Sequence, residues 1–286
     1  MGGGWLALLR LMVGIIWYTV LMIHDVQFLT SALLTDAGIK HGWFTRFGGV
    51  STELFESLNG KKGAGDTDDN VDKNRKRALV TFCHPEPQAC RHSMLDSGSY
   101  YHKDFCPCRN DNSVAHIVHQ FKNNILEAEE AGEFRGYDAS LTTEKDLVLS
   151  HTTADCGTVI IADTKGTIVA LIHGSWHTLS TKLIRDTVAK IKMYTPNKLI
   201  AGIGPMICKN CYEFGPEALD LFEPKYLELK FGKYFVDLKQ MIIDQLTESE
   251  ITKIDDIKIC TLEDTRFFSH RRSGMNSGRF ITLVRL

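Results

Sequence analysis

Two apolar runs, Thr158–Ala162 and Thr167–Ile172, flank the polar stretch Asp163-Thr164-Lys165-Gly166. Runs of strand length, rich in β-branched residues and broken by a turn that ends in glycine, read as a β-hairpin. With Thr164 and Lys165 as a two-residue turn, Asp163 faces Gly166 and Cys156 faces His173. If Gly166 takes a left-handed bulge position, the register slips by one and the pair becomes diagonal. Either way a thiol and an imidazole meet at the open end of one hairpin, each beside a glycine, Gly157 or Gly174. Glycine there lets a ligand approach the backbone closely. A Cys and a His that converge in this way serve as two metal ligands, or as a nucleophile and its base. A buried free cysteine beside a strand end is the plain alternative.

The composition bounds the remaining possibilities. A chain of 286 residues with 43% hydrophobic and 24% charged residues belongs with ordinary globular proteins, as one large domain or two small ones. A net charge of -2 without a basic run gives no reason to expect a nucleic-acid partner. Eight cysteines without regular spacing suggest reduced thiols in a cytosolic setting rather than a disulfide scaffold. Gly2 to Ile23 is almost wholly apolar, with Arg10 its only charge. It is read as a dispensable leader, or upstream sequence if Met22 is the true start. A membrane anchor and a cleaved signal are the alternatives.

Along the chain, Val26–Leu34 and Ile39–Thr45 read as strands around a turn at Asp36-Ala37-Gly38. Arg46-Phe47-Gly48-Gly49 is either a plain tight turn or a backbone curl around an anion. Asp69 to Leu79 has helical spacing, Val114–Leu126 reads as a strand carrying His116, His119 and Lys122, and His177–Met193 reads as one amphipathic helix. Leu199–Ile203 and Ile257–Cys260 read as strands and Met241–Leu246 as helix, so the class is α/β or α+β with mixed sheets. Phe82 to Asn112 crowds Cys83, His84, Cys90, His92, His102, Cys106 and Cys108 into an irregular segment. It is read as a surface insertion, with a zinc site as the alternative. The Cys208-Lys209-Asn210-Cys211 motif follows a Gly-Pro turn instead of opening a helix, so a redox role is not assigned to it.

Taken in order, the motifs HGWFTRFGGVS (His41–Ser51), LNGKKGAGDTDDNVDKNR (Leu58–Arg75), YDASLTT (Tyr137–Thr143), TADC (Thr153–Cys156), HGSW (His173–Trp176), GIGPMICKNCYEFG (Gly202–Gly215) and FFSHRRSGMNSGR (Phe267–Arg279) resemble the YfiH, or laccase-domain, family. The resemblance runs from Met22 to the C-terminus, apart from Phe82–Asn112, and so marks residues 23–286 as one domain. It implies a four-layer α/β/β/α fold with mixed sheets and a site of one Cys and two His binding zinc, with copper less favoured. It also implies purine nucleoside phosphorylase activity on adenosine, inosine, guanosine and methylthioadenosine, with phosphate as co-substrate, together with deamination of adenosine. A cytoplasmic monomer or homodimer is expected.

The resemblance places the family cysteine on Cys156 and the later histidine on His173. For the first histidine the family reads Gln-x-His-x-x-x-Val, whereas this chain has His119-Gln120-Phe121-Lys122-Asn123-Asn124-Ile125. Aligning Gln120 puts Lys122, a poor zinc ligand, in the slot, and a shift of three puts His119 there. His119 is the ligand adopted. Asp155 is the adjacent carboxylate for proton transfer, although a strand neighbour of Cys156 faces the other way unless the turn rotates it. Arg46, Asn59, Arg75, Arg271 and Arg272 are the expected substrate-binding residues, guanidinium being matched to phosphate. After His173 the family's His-Ala-Gly-Trp-Arg-Gly becomes His-Gly-Ser-Trp-His-Thr, so His177 replaces an arginine. The alternatives are a metal-free thiol hydrolase or deamidase using Cys156 and His173, and an impaired paralogue acting as a binding protein. Multicopper chemistry needs His-x-His pairs, and none occurs in the sequence.

Overall fold

The structure, a computed structural model, describes residues 26–83, 113–275 and 277–286, and the backbone of 9–13 and 16–23. Its strands are β1 (Leu9–Val13), β2 (Ile16–Ile23), β3 (Val26–Leu29), β4 (Lys40–Phe44), β5 (Val114–Val118), β6 (Ile125–Glu127), β7 (Gly132–Arg135), β8 (Ala139–Thr142) and β9 (Val148–Thr153). They continue with β10 (Gly157–Asp163), β11 (Val169–Gly174), β12 (Leu199–Ile203), β13 (Glu213–Phe214), β14 (Leu227–Lys230), β15 (Lys233–Val236), β16 (Ile254–Asp256) and β17 (Phe280–Arg285). One sheet has the order β1-β2-β3-β4-β17-β9-β5-β7, and a second β16-β12-β10-β11-β8-β6. Both are mixed: β5 runs parallel to β7 and β9, β12 to β16 and β6 to β8, while the remaining pairs of the two sheets are antiparallel.

Alternation along the strands sorts the side chains into layers. Leu149, Phe280 and Val284 of the first sheet meet Ile160, Ala162, Val169 and Leu171 of the second in the core between the sheets. The opposite face of the first sheet, with Val148, Ile281 and Leu283, is covered by Ala78, Leu79 and Phe82 of the Asp68–Cys83 helix. The outer face of the second sheet, with Val159, Ile161 and Ile172, packs on the Leu183–Ile191 and Leu238–Glu248 helices. The result is four layers, α/β/β/α, as the family resemblance implied. A buried Leu or Ile contributes on the order of 2 kcal/mol on transfer from water, so each apolar face needs its cover.

The β10–β11 hairpin forms, but in neither register expected from sequence. Thr158 pairs with His173 and Ala162 with Val169, a slip of two from the two-residue turn. Asp163 holds a four-residue loop by accepting from the Thr167 N–H at 2.7 Å and the Thr167 hydroxyl at 2.6 Å, with Gly166 at φ 62°. A slip of two keeps every side chain on its face, so Cys156 and His173 are diagonal neighbours on the side facing the first sheet.

Other local expectations are corrected by capping and strain. Val26–Leu34 is strand only to Leu29, because the Ser31 hydroxyl accepts from the Leu34 N–H and caps a helix over Ala32–Asp36. Strand β5 stops at Val118 rather than continuing to Leu126, with Phe121 and Asn123 in the left-handed region. The single helix expected over His177–Met193 is two, Trp176–Ser180 and Leu183–Ile191, broken by Lys182 at φ 63°. Ile257–Cys260 contributes only a bridge from Cys260 to Met206. The β13-β15-β14 sheet has no counterpart in the sequence reading.

Leu9–Val13 and Ile16–Ile23 form antiparallel strands that continue into β3. Among the described residues no helix is long and apolar enough to cross a membrane. Of Phe82–Asn112 only Phe82 and Cys83 are described, so the zinc alternative for that segment lies outside the described residues.

Candidate metal centre

The candidate centre forms where β5, β9 and β11 end and β10 begins, on the side facing the space between the sheets. Strand β11 delivers His173, whose backbone N–H donates to the Asp138 carbonyl at 2.8 Å. Its carbonyl accepts from the Thr178 hydroxyl at 2.6 Å, within the Ser175 cap of the next helix. Cys156 sits one residue before β10, after Asp155 at φ 81°. That rotation carries Asp155 inward, where Oδ1 accepts from the Thr261 hydroxyl at 2.7 Å and Oδ2 from the Arg271 N–H at 2.6 Å. Asp155 thus fixes the backbone beside Cys156, and both its oxygens are engaged.

His119 leaves the end of β5 and stacks on His173 with ring centroids 3.9 Å apart and planes inclined by 29°. His151 of β9 lies edge-on to it at 4.7 Å. Asp138 organises this group. It accepts from the backbone N–H groups of Lys122 at 2.7 Å, Asn123 at 3.1 Å and Phe121 at 3.3 Å, and from His173 Nδ1–H at 3.2 Å. The two left-handed residues curl the loop so that consecutive N–H groups converge on one carboxylate, as in an anion-binding nest. Lys122 thereby offers its backbone to the site while its side chain stands exposed. The Asp138 carboxylate is held below its ordinary range: burial alone would raise it, but the His173 contact and the backbone donors outweigh that.

The imidazoles divide sharply. Burial, reinforced by the neighbouring imidazoles, holds His119 and His151 well below the usual histidine range and therefore neutral. His173 goes the other way. Burial lowers it, yet the Cys156 sulfur and the Asp138 carboxylate together push it up to about 9. Both ring nitrogens of His119 are buried without a hydrogen-bond partner, and Asp138 is 3.6 Å away, beyond bonding distance. Such orphaned atoms in a native site call for an explanation, an ion among them. The donor set fits one: His119, Asp138 and His173 present ligand atoms within 4.8 Å of one another, and the soft sulfur of Cys156 lies beside His173, outside that group of three. Asp138 on His173 Nδ1–H leaves Nε2 free to ligate, the usual carboxylate–histidine–metal arrangement.

The expected substrate residues scatter. Arg46 bonds the Glu56 carbonyl and lies over the Phe268 ring at 4.7 Å. The curl after it is no anion cradle, since Gly49, Val50 and Ser51 donate to Ser57 and Asn74. Asn59 is fully buried and bonds Asp66 and the Arg279 N–H, holding two loops together. Arg75 lies beyond the first sheet, on the Gly60 carbonyl and His116, lining a cavity of about 320 Å³. The Arg272 guanidinium is taken up by the carbonyls of Thr261, Leu262 and Phe267. Arg271 stands 5.0 Å over the Tyr212 ring, near the centre through its N–H to Asp155. Arg279, which sequence reasoning did not single out, feels the Cys156 sulfur and Asp155 and has Lys61 beside it.

Residues 40–94 and 104–286 match the family model described as multi-copper polyphenol oxidoreductase laccase. This chain belongs to that family. Among curated relatives, the purine nucleoside phosphorylase PA4543 of Pseudomonas aeruginosa is 29% identical over 249 residues, 84% of this chain and 90% of the relative. The purine nucleoside phosphorylase YfiH of Escherichia coli is 28% identical over 247 residues, with the same coverage of 84% and 90%. Adenosine deaminase RL5, from an unknown prokaryotic organism, is 29% identical over 184 residues, 59% of this chain and 69% of the relative. Among solved structures, protein NMB0706 of Neisseria meningitidis superposes with a TM-score of 0.74 at 26% identity, covering 91% of this chain and 98% of that one. YlmD of Geobacillus stearothermophilus gives 0.75 at 22% identity, with 90% and 95% covered, and supports the fold alone.

Asp138 and His151 were missed as site residues by sequence reasoning. The YDASLTT motif held the signal for Asp138, but a lone aspartate in a turn carries no mark of what it will face.

Proposed function

We propose that this chain is a purine nucleoside phosphorylase with adenosine deaminase activity, its metal held by His119, Cys156 and His173. The observation that carries the reading is His119, a buried neutral imidazole with both nitrogens unpartnered, stacked on a histidine whose Nδ1 is held by a carboxylate. The names of the relatives supply the reaction class. Zinc bound there would act as a Lewis acid, polarising an oxygen of substrate or water.

The chain's own residues account for the rest. Asp138 keeps the proton of His173 on Nδ1 and orients the ring. Phe121, 48% exposed, lies 4.9 Å from the His177 ring and 5.6 Å from His173, offering an apolar edge on which a purine can stack. Arg271, Arg279 and Lys61 supply positive charge for phosphate in place of the arginine that His177 replaces. In phosphorolysis a phosphate oxygen bonds to ribose C1′ as the bond to the purine nitrogen breaks. The electron pair leaves on the purine, which takes up the proton that the attacking hydrogen phosphate gives up.

The test incubates the purified chain with adenosine, inosine, guanosine and methylthioadenosine, with and without phosphate, and separates the products by chromatography. Phosphate-dependent release of free base, lost in His119→Ala and Cys156→Ser but kept in Lys122→Ala, is the expected result. No base and no inosine from any nucleoside at micromolar enzyme overturns the proposal. One observation favours a second reading: the Cys156 sulfur, His173 and Asp138 also form a thiol–imidazole–carboxylate series. A metal-free thiol hydrolase predicts alkylation of Cys156 that zinc leaves unchanged, whereas the metal centre predicts protection.

A further inference from the structure

The Cys-x-x-Cys motif that carried no assignment in the sequence acquires two partners in the fold. Strand β12 ends in Gly204-Pro205, and the loop after it turns back so that the Cys211 and Tyr212 N–H groups donate to the Cys208 carbonyl at 3.0 and 3.1 Å. The turn places Cys208 and Cys211 side by side. Backbone bonds from Met206 to the Ile259 carbonyl and from Thr261 to the Met206 carbonyl, both 3.1 Å, dock the 260–263 segment alongside. That docking brings in Cys260, buried, and Glu263, exposed. The four ligand atoms all lie within 4.8 Å of one another. The Cys208 N–H donates to Cys260 Sγ at 3.4 Å, and Cys211 Sγ–H donates to Glu263 at 3.5 Å.

We propose that Cys208, Cys211, Cys260 and Glu263 form a second metal site, a closed structural site for zinc, separate from the one at His119 and His173. Four donors around zinc at about 2.3 Å from each sulfur stand about 3.8 Å apart, so the observed spacing needs only a small contraction. Three soft sulfurs select zinc or cuprous copper, and the carboxylate tilts the set toward zinc. A C-x2-C turn joined to a distant pair is the usual architecture of such sites, and an N–H directed at a ligating sulfur is the kind of outer support that holds a thiolate in place. All three cysteines are free thiols. Cys208 and Cys211 pack partly buried against the core, so the cluster opens to solvent on the Glu263 side.

Such an ion would join two loops 52 residues apart. One carries Tyr212; the other leads to Arg271, whose guanidinium lies over that ring and whose N–H holds Asp155 beside Cys156. The second site would therefore set the shape of the first without taking part in its chemistry.

The full chain, purified under reductant, loaded with zinc and desalted, is assayed for bound zinc by mass spectrometry, and its thiols are mapped by alkylation. The expected result is about two zinc equivalents in the parent and about one in Cys208→Ser/Cys211→Ser. In His119→Ala/Cys156→Ser about one equivalent should remain, with thiolate-to-metal absorption when cobalt replaces zinc. Should the double serine variant fail to fold, the parent alone decides: zinc must protect Cys208, Cys211 and Cys260 from alkylation together. One equivalent with those three thiols protected supports this site and counts against the first. Equal alkylation of the three with and without zinc overturns the proposal, as does a Cys208–Cys211 disulfide that persists under reductant.

Discussion

Replacing Asp138 with asparagine should loosen both the His119 loop and the hold on His173. The carboxylate accepts four hydrogen bonds, three from consecutive backbone N–H groups and one from His173 Nδ1. Bonds to a charged acceptor are worth about 1.5–3 kcal/mol each, and a buried donor left unpaired costs about 1–3 kcal/mol. Asparagine keeps one acceptor oxygen and turns an NH2 toward the remaining donors, so about two of the four bonds are lost. The expected destabilisation of the metal-free protein is about 3–5 kcal/mol, measured by urea unfolding in chelator. Zinc affinity should fall roughly 10–100-fold, because the carboxylate that orients a ligating histidine is gone. Lys122→Ala is the control: it removes an exposed side chain and leaves the backbone donor, so stability should move by less than about 0.5 kcal/mol. An Asp138→Asn variant within about 0.5 kcal/mol of the parent, with unchanged zinc affinity, would refute the argument that Asp138 organises the centre.

Three further outcomes are expected. His41 donates from Nδ1 to the Ile39 carbonyl and accepts the Ser31 N–H at Nε2, and burial lowers it to about 4. Its contribution is therefore complete above pH 6.5 and lost as pH falls toward 4. The stability gap between parent and His41→Gln should shrink by about 2 kcal/mol between pH 6.5 and 5 in urea titrations, and a constant gap sinks the idea. In Gly204→Ala the new Cβ would lie 2.1 Å from Trp43 Nε1 and 2.7 Å from Thr158 Oγ1, which are bonded to each other at 2.8 Å. Unfolding free energy should drop by about 3 kcal/mol, and a change under about 1 kcal/mol contradicts the close packing. Lys182→Gly relieves an exposed left-handed residue between two helices and should raise stability by roughly 0.5 kcal/mol. A loss beyond about 1 kcal/mol would mean that the lysine side chain holds the break.

Short-range rules and the motif resemblance account for what sequence alone determined. The alternation of Val159–Ala162 and Val169–Ile172, with a polar turn between, specified a hairpin and the face shared by Cys156 and His173. The motif resemblance specified the layers and two residues of the candidate centre. The register was not legible, because it depends on how Asp163 bonds the Thr167 backbone and hydroxyl, and hydrophobic alternation is unchanged by a slip of two. His119 and Lys122 both belong to the strand expected over Val114–Leu126, but the strand ends at Val118. Beyond it the chain winds as a loop around Asp138, a residue whose importance exists only once β8 and β11 bring it there. Cys208-x-x-Cys211 likewise looked idle until the 260–263 segment docked against it. Periodicity and caps are written into neighbouring residues and can be read along the chain. Convergence of donors from segments 16 or 52 residues apart is created by the packing of the sheets, and only the tertiary structure decides it.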